Sequence, residues 1–178
     1  GASGSVISDE TVLASADWLV EQLVAVGDEL SDVVTIPYAS SSVIAAVSDK
    51  AVVMQACRSL GGPHPDTQVV VPGHAGVDLE RTSFPAIVKP ASTAAAHSVT
   101  YPGQAKVHTV TSPEQLNDLL AVMATAGFDS QVLVQEMVPG DDDSMAAVNV
   151  FIGPQGEVRF AQMGRVLLED HTPSALGN

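Results

Sequence analysis

Cysteine is almost absent from this chain, since Cys57 is the only one among its 178 residues. A single cysteine cannot form an internal disulfide, so the fold must be held by its apolar core. No apolar run approaches the roughly 20 residues that a membrane-spanning helix needs, and no charged segment leads into an apolar one as in a secretion signal. The simplest expectation is a cytoplasmic protein.

Positive charge is also scarce. The chain has 7 basic and 21 acidic residues, and its formal net charge is −14. Nucleic-acid binding needs a basic stripe that neutralises phosphates, and this sequence has none. If an anionic ligand binds, its few positive partners must be concentrated at one place.

Motifs of several enzyme classes are missing as well. The GxxxxGK[ST] and GxGxxG spacings do not occur, which excludes a P-loop and a Rossmann fingerprint. The histidines, at positions 64, 74, 97, 108 and 171, do not have metal-ligand spacing, and one cysteine among scattered histidines is a poor nucleophile candidate. We therefore predict no metal ligands within this sequence.

Apolar residues are plentiful, at 46% of the chain, and their spacing alternates between strand-like and helix-like segments. Helices are predicted at 16–27, 41–47, 48–62 and 112–127, strands at 11–15, 33–37, 67–73, 84–90, 105–110 and 131–138, and a hairpin at 144–169 that turns at 154–156. This order predicts an α/β or α+β fold with mixed sheets. Residues 91–104 are small and polar without an apolar period, so we predict a mobile loop.

The chain has three lysines, Lys50, Lys89 and Lys106. Lys50 opens a predicted helix, where a cation is mildly unfavourable unless an anion is bound. Lys89 ends an apolar strand, and Lys106 opens the strand after the small-residue loop. Each alone is consistent with a solvated lysine whose stem lies along the surface. Together they bracket a loop that can fold over a nucleotide and offer backbone N–H groups to phosphates.

A second group of polar residues lies in the stretch "VQEMVPGDDD". Glu136 interrupts an apolar face near a strand end, where a carboxylate must be hydrogen-bonded. Its partner is either a ligand, such as an adenine amino group or a ribose hydroxyl, or a nearby backbone N–H. Asp141, Asp142 and Asp143 form a carboxylate run after a turn, and such runs are more often solvated than metal-binding.

Several of these segments follow one another in a recognisable order: "SDK" with its helix, "FPAIVKP", a glycine-containing loop, "KVHTV" and "VLVQEMVPGDD". This order resembles the ATP-grasp superfamily of ligases. The stretches "YPGQAKVHTV", "VQEMVPGDDDSM" and "GRVLLEDHTPSALGN" are similar to its D-aspartate ligase group of carboxylate–amine ligases. The resemblance covers nearly the whole chain from about residue 11.

The resemblance implies a nucleotide site on the first lobe of the fold. Lys89 and Lys106 would contact the phosphates of ATP, Lys50 would support that site, and residues 91–104 would cover it. The hinge strand that meets adenine would consist of Gln135, Glu136, Met137 and Val138, with Glu136 as the hydrogen-bonding carboxylate.

The resemblance also implies roles farther along the chain. One residue of the carboxylate run, taken as Asp143, would lie near the ribose. Arg165 would lie on a strand that approaches the phosphates, which makes it the catalytic candidate. The enzymes of this superfamily hold Mg²⁺ with a later set of carboxylates and an asparagine, and that set is expected beyond Asn178.

The fold implied is a partial ATP-grasp fold preceded by the end of an α/β domain. Residues 1–47 would end that domain, 48–134 would form the first ATP-grasp lobe, and 135–178 would form the hinge and a truncated second lobe. Such a chain is expected to be inactive by itself and to self-associate through open sheet edges.

The activity implied is ligation of a carboxylate to an amine. ATP would phosphorylate the carboxylate of D-aspartate or a similar amino acid, and an amine such as the lysine of a peptidoglycan precursor would then attack the acyl phosphate. Two alternatives remain open at this point. One is a nucleotide-binding or assembly module without catalysis, and the other is an ATP-grasp ligase with a different carboxylate and amine.

Overall fold

The computed structural model of this chain describes residues 10–74 and 76–167. Three helices form the N-terminal part: α1 (Asp17–Ala25), α2 (Gly27–Leu30) and α3 (Ser41–Ser48). The two strands predicted in this part reduce to a single parallel bridge between Thr11 and Thr35. These short segments lie beside each other for only one residue pair, too few to form a ladder.

The fourth helix, α4 (Lys50–Ser59), follows directly. Its N-cap is Asp49, whose Oδ1 accepts hydrogen bonds from the N–H groups of Ala51 (2.7 Å) and Val52 (3.2 Å). Side-chain capping of this kind satisfies N–H groups that have no partner within the helix. The start of α4 is therefore defined at the residue before Lys50.

The central element is a sheet of four short strands: β1 (Thr67–Val70), β2 (Ala86–Pro90), β3 (His108–Val110) and β4 (Val132–Glu136). Their order across the sheet is β1-β4-β2-β3, and all three pairs are antiparallel. The predicted mixed sheets are thus antiparallel in the described residues, apart from the Thr11–Thr35 bridge.

The core lies on one face of this sheet. Helix α6 (Pro113–Thr125) covers that face and lies within the predicted helix 112–127, with Ser112 as N-cap and proline in the first turn. The side chains buried there are those of Ala86, Val88, Ala95, Tyr101, Val110, Leu116, Met123, Phe128, Val132 and Val134. Each large apolar side chain buried in this way contributes roughly 1.5–3 kcal/mol to folding.

The small-residue segment differs from the prediction of a mobile loop. It contains the helix α5 (Thr93–Ser98), whose N-cap Ser92 accepts a hydrogen bond from Ala95 N–H at 3.1 Å. Apolar periodicity did not reveal this helix because its residues are alanines and small polar side chains. Its ordering comes from contacts that are described below.

The last described elements form the predicted hairpin, β5 (Ala146–Ile152) and β6 (Val158–Arg165). Gly156 has a φ of 80° in the turn, a backbone conformation that favours glycine. A short 3₁₀ turn, Asp142–Ser144, precedes β5. In the part of the chain that the structure describes, no helix is long and apolar enough to cross a membrane.

Candidate functional site

Two of the three lysines come together where α4 begins and β2 ends. The backbone N–H of Lys50 donates to the carbonyl oxygen of Ala91 at 2.8 Å, which ties the first residue of α4 to the end of β2. Lys89 lies one residue before the end of β2, opposite Leu133 of β4. Because strand residues alternate, Lys89 projects from the face opposite that of Val88 and the core.

The environment of Lys89 disfavours its charge. Burial lowers the pKa of the Lys89 ammonium below its ordinary value of 10.5, and the charge of Lys50 lowers it further. Burial acts this way because a low-dielectric surrounding penalises the charged form, and a neighbouring cation adds repulsion. The two lysines are therefore near enough to repel each other.

Neither of these two lysines has a counter-ion among residues 10–74 and 76–167. The ion pairs found there join Arg81 to Asp66 and Arg159 to Glu157, both away from the two lysines. Two half-buried cations without a carboxylate partner there, in a chain of net charge −14, form a local excess of positive charge that a bound anion would neutralise.

Lys106 lies one strand farther across the sheet. It is half-buried and occupies the bend that leads into β3, the neighbour of β2. The structure thus brings Lys50 and Lys89 into one place and sets Lys106 at the entry to the adjacent strand.

The opposite end of β4 holds the predicted hinge residues. Gln135 is 8% exposed, and its Nε2 donates to Thr67 Oγ1 at 2.9 Å and lies 3.6 Å from Met54 Sδ. Its side-chain amide is therefore occupied within the protein, on the face that α4 covers. Met137 and Val138 follow the end of the strand and are exposed.

Glu136 is exposed, and its hydrogen bonds link β4 to the loop before β1. Its Oε2 accepts from the backbone N–H of Asp66 at 3.3 Å, and its own N–H donates to the carbonyl of Asp66 at 2.9 Å. Of the partners considered for this carboxylate, the backbone N–H is therefore the one present. An exposed carboxylate oxygen accepts further hydrogen bonds, so a ligand partner remains compatible with this geometry.

The two ends of the candidate site are separated by a short length of sheet. Glu136 pairs with Ala86, and Lys89 pairs with Leu133. Three residues of antiparallel strand correspond to about 10 Å. The edge at Glu136 and the cations at Lys89 are thus held at a fixed spacing by the β2–β4 pair.

A cavity of about 450 Å³ adjoins the cationic end. Its walls include Asp49 and Ser92, which are the N-caps of α4 and α5, and the residues 129–131 that lead into β4. Since Lys50 follows Asp49 directly, this opening lies beside the start of the helix that carries the cation. A much smaller space of about 10 Å³ lies beside Glu136, Asp66 and Arg81.

Asp143 and Arg165 lie at the open end of the hairpin. Asp143 belongs to the 3₁₀ turn before β5, and Arg165, the last residue of β6, pairs with Ala146 at the start of β5. Both are exposed. The described residues contain no group of three or more histidine, cysteine or acidic side chains that could hold a metal ion, so a magnesium set beyond Asn178 stays a prediction.

The sequence reasoning missed three side chains at this site. Thr67 and Met54 contact Gln135. Tyr101, in the segment that precedes β3, is buried. Thr67 and Met54 have no local signal, because their contacts join residues far apart in the chain. Tyr101 had one, since it is the only large side chain in a stretch of small residues.

No family model matches this chain. One curated relative, the D-aspartate ligase of Enterococcus faecium, is 30% identical over 172 residues, which is 94% of this chain and 41% of that enzyme. The resemblance to ATP-grasp ligases is confirmed. The ATP-grasp fold is seen independently in solved structures, which at these identities speak for the fold alone.

Two D-alanine–D-alanine ligases show that fold. The Bacillus anthracis enzyme complexed with ATP has a TM-score of 0.54 and 16% identity, with 88% of this chain and 52% of that chain covered. The Helicobacter pylori enzyme has a TM-score of 0.54 and 15% identity, with 87% and 44% covered. The chain thus spans about two fifths of the curated relative and about half of these structures.

Proposed function

We propose that this chain contributes the nucleotide-facing part of an ATP-dependent carboxylate–amine ligase. The observation that carries the proposal is the pair Lys50 and Lys89, two adjacent half-buried cations without a counter-ion among the described residues. A triphosphate supplies the missing negative charge. The relationship to D-aspartate ligase and the fold shared with D-alanine–D-alanine ligases support this assignment.

The proposed arrangement of ATP follows the β2–β4 pair. Lys89 and Lys106 neutralise the phosphates, Lys50 supports them from the start of α4, and residues 91–104 cover them. The adenine lies at the other end against Gln135, Glu136, Met137 and Val138, about 10 Å away along the strands. Since the Gln135 side chain is buried with its Nε2 donating to Thr67 Oγ1, the exposed Glu136 is the side chain that offers an acceptor to the base.

Two residues of the hairpin end complete the proposal. Asp143 accepts a hydrogen bond from the ribose, and Arg165 approaches the phosphates as the catalytic cation. Mg²⁺ would neutralise further charge on the phosphates when bound. Its ligands are proposed to lie in the part of the parent protein that follows residue 178.

The proposed chemistry has two steps. A carboxylate oxygen of the amino-acid substrate attacks the γ-phosphorus of ATP, and ADP leaves to give an acyl phosphate. The amine then attacks the acyl carbon, phosphate leaves, and the amine loses a proton to form the amide. Positioning and charge neutralisation carry this chemistry, which agrees with the absence of a catalytic triad from the sequence.

The substrates are proposed from the curated relative. D-aspartate is the carboxylate substrate and a peptidoglycan-precursor lysine is the amine acceptor, with catalysis in the cytoplasm, where ATP is available. The division into residues 1–47, 48–134 and 135–178 is proposed for the parent on the same basis.

The test is to supply the full-length parent protein with ATP, Mg²⁺, D-aspartate and a lysine-containing precursor peptide, and to measure ADP release and the mass of the product. We expect ADP release that depends on both substrates and a product heavier than the precursor by one aspartyl residue. ADP release with another amino acid but not with D-aspartate would overturn the D-aspartate assignment. Absence of ATP binding by the full-length protein would overturn the ligase assignment.

One observation favours a second candidate function for the 178-residue chain itself. Its described residues contain no cluster that could hold a metal ion, which agrees with a nucleotide-binding module without catalysis. Titrating this chain with ATP, with and without Mg²⁺, separates the two cases. Binding without any turnover supports the module.

A further inference from the structure

The segment 91–105 is anchored to the core by one tyrosine. Tyr101 is 4% exposed, and its ring meets Phe128 edge-on with centroids 6.5 Å apart. Its hydroxyl lies 3.0 Å from Nε2 of His108, the first residue of β3. His108 pairs with Val88 and so lies on the core face of the sheet.

A second hydrogen bond converges on the same nitrogen. The backbone N–H of Ala105 donates to His108 Nε2 at 3.4 Å. Because an N–H can only donate, Nε2 must be an unprotonated acceptor, and the Tyr101 O–H therefore donates to it as well. Both ends of the turn 101–105 are thus held by one imidazole.

The turn 101–105 is also hydrogen-bonded to α5. The side-chain Nε2 of Gln104 donates to the carbonyl oxygens of Ala96 (3.0 Å) and Val99 (3.2 Å), at the C-terminal end of that helix. Gly103 has a φ of 72°, which allows the chain to reverse within the turn. The other end of α5, at Ser92, lines the cavity beside the start of α4.

These contacts form one chain of connections from the core to the cavity. We propose that Tyr101 and His108 are positioning residues that hold segment 91–105 in place over the phosphate groups of ATP. The proposal rests on the function proposed above, since it takes the cationic end of the site as the phosphate end. Neither side chain is proposed to touch ATP itself.

The pair has a built-in pH dependence. Burial is the one cause that lowers the pKa of His108 below its ordinary value of 6.5. The groups against the ring are the Tyr101 hydroxyl and the Ala105 N–H, with Val88 opposite in the sheet, and the charged residue nearest along the chain is Lys106. Burial also raises the pKa of Tyr101, which stays neutral in this range. Protonated Nε2 cannot accept the Ala105 N–H, so the segment loosens as the pH falls below 6.5.

The experiment compares hydrogen exchange of residues 91–105 in the 178-residue chain and in three variants. Tyr101→Phe keeps the buried ring but removes the hydroxyl. His108→Gln keeps an acceptor near the position of Nε2 but cannot titrate. Tyr38→Phe is the matched control, because it removes the chain's other tyrosine hydroxyl, which bonds to the backbone of Ala14 at 2.8 Å in the N-terminal part.

We expect Tyr101→Phe to exchange about fivefold faster in residues 91–105, as the loss of one hydrogen bond predicts, and Tyr38→Phe to leave that segment unchanged. Protection in the parent chain should fall below pH 6.5, whereas His108→Gln should remove this pH dependence. Three results would each overturn the proposal: equal exchange in the unsubstituted chain and Tyr101→Phe, equal loosening of the segment by Tyr38→Phe, or an unchanged pH profile in His108→Gln.

Titration with ATP separates this proposal from the proposed function. We expect the dissociation constant of ATP to rise about fivefold in Tyr101→Phe and to stay unchanged in Tyr38→Phe. Equal ATP affinities of the unsubstituted 178-residue chain and Tyr101→Phe overturn the positioning role alone. Absence of ATP binding by the unsubstituted 178-residue chain overturns the positioning role in this chain, and absence of ATP binding by the full-length protein overturns the proposed function as well.

Discussion

Lys89 carries its positive charge in an unfavourable environment. Its ammonium is half-buried beside Lys50, and both burial and repulsion lower its pKa. Such an arrangement destabilises the ligand-free protein and becomes favourable when an anion binds. This opposition between stability and binding distinguishes a binding lysine from a structural one.

Replacing Lys89 by methionine tests this distinction. We expect Lys89→Met to weaken ATP binding more than tenfold, or by at least about 1.4 kcal/mol, because a charge-assisted contact is lost. The ligand-free chain should unfold at the same temperature or higher, since burial and repulsion are relieved. Calorimetric titration and thermal unfolding provide the two measurements.

The matched control is Arg159→Met, which removes one positive charge from an exposed ion pair with Glu157. It should leave ATP binding unchanged, because the charges of an exposed pair are screened by solvent. Equal loss of affinity in both variants would mean that only the net charge matters, contrary to the site proposed at Lys89.

Lys89 also predicts proton uptake on ATP binding. Its pKa is lowered from 10.5 in the free protein, so at alkaline pH a larger fraction of its ammonium is deprotonated than in an ordinary lysine. A bound polyanion raises the pKa again, and the protein takes up a proton. The free-energy cost of keeping the Lys89 ammonium charged is present at neutral pH, and it is relieved as the pH rises through the lowered pKa.

Titrations in two buffers with different ionisation enthalpies measure this uptake. We expect a buffer-dependent binding enthalpy at alkaline pH that decreases toward neutral pH and is lost in Lys89→Met. A binding enthalpy that is the same in both buffers at every pH would contradict the predicted environment of Lys89.

Helix α4 is the element that connects stability to the site. Its N-cap Asp49 bonds two backbone N–H groups, and the next residue, Lys50, is tied to the end of β2. Asp49→Ala should lower the free energy of unfolding by about 1 kcal/mol and weaken ATP binding, because the first turn that carries Lys50 frays. Urea unfolding and ATP titration check both effects.

The comparison for this variant is Asp49→Asn. Asparagine caps helices about as well as aspartate, so stability and ATP affinity should stay close to those of the parent. If Asp49→Asn behaves like Asp49→Ala, the negative charge rather than the cap is the important property.

Among the elements, those with local signals were predicted well. The start of α6 depends on Ser112 and Pro113, and the end of the hairpin turn depends on Gly156, all of which act within a few residues. The helix α5 was missed because hydrogen bonds of Ser92, Gln104 and Tyr101 order it jointly. The bonds of Gln104 and Tyr101 reach Val99 and His108, which lie outside the helix. At the start of α6, Gln115 Oε1 accepts a hydrogen bond from the N–H of Thr111, the residue before the N-cap Ser112.

At the scale of the whole molecule, the hairpin β5–β6 differs from the four-stranded sheet. Every described residue of its two strands is exposed, and its large apolar side chains include Val148, Val150, Phe151, Phe160 and Met163. In the described part of the chain nothing covers either face. Such surfaces favour association in water.

We therefore expect the 178-residue chain to self-associate through this hairpin at high concentration. Phe160→Ser should shift sedimentation toward monomer, because it removes an aromatic side chain that is about half exposed on the apolar surface of this hairpin. The control Leu60→Ser removes another exposed apolar side chain, at the end of α4, and should leave the association unchanged. A chain that sediments as a monomer at every concentration would contradict the expectation.

The sequence by itself determined the elements with strong local signals and the scarcity of positive charge that makes three lysines informative. It could do so because helix caps, turn glycines and strand alternation act over a few residues. Only the tertiary structure decided that Lys50 and Lys89 repel each other, that Glu136 bonds Asp66 across 70 residues, and that Tyr101 meets His108 in the core. These contacts depend on which strands pair and how helices cover the sheet, and no local pattern records them.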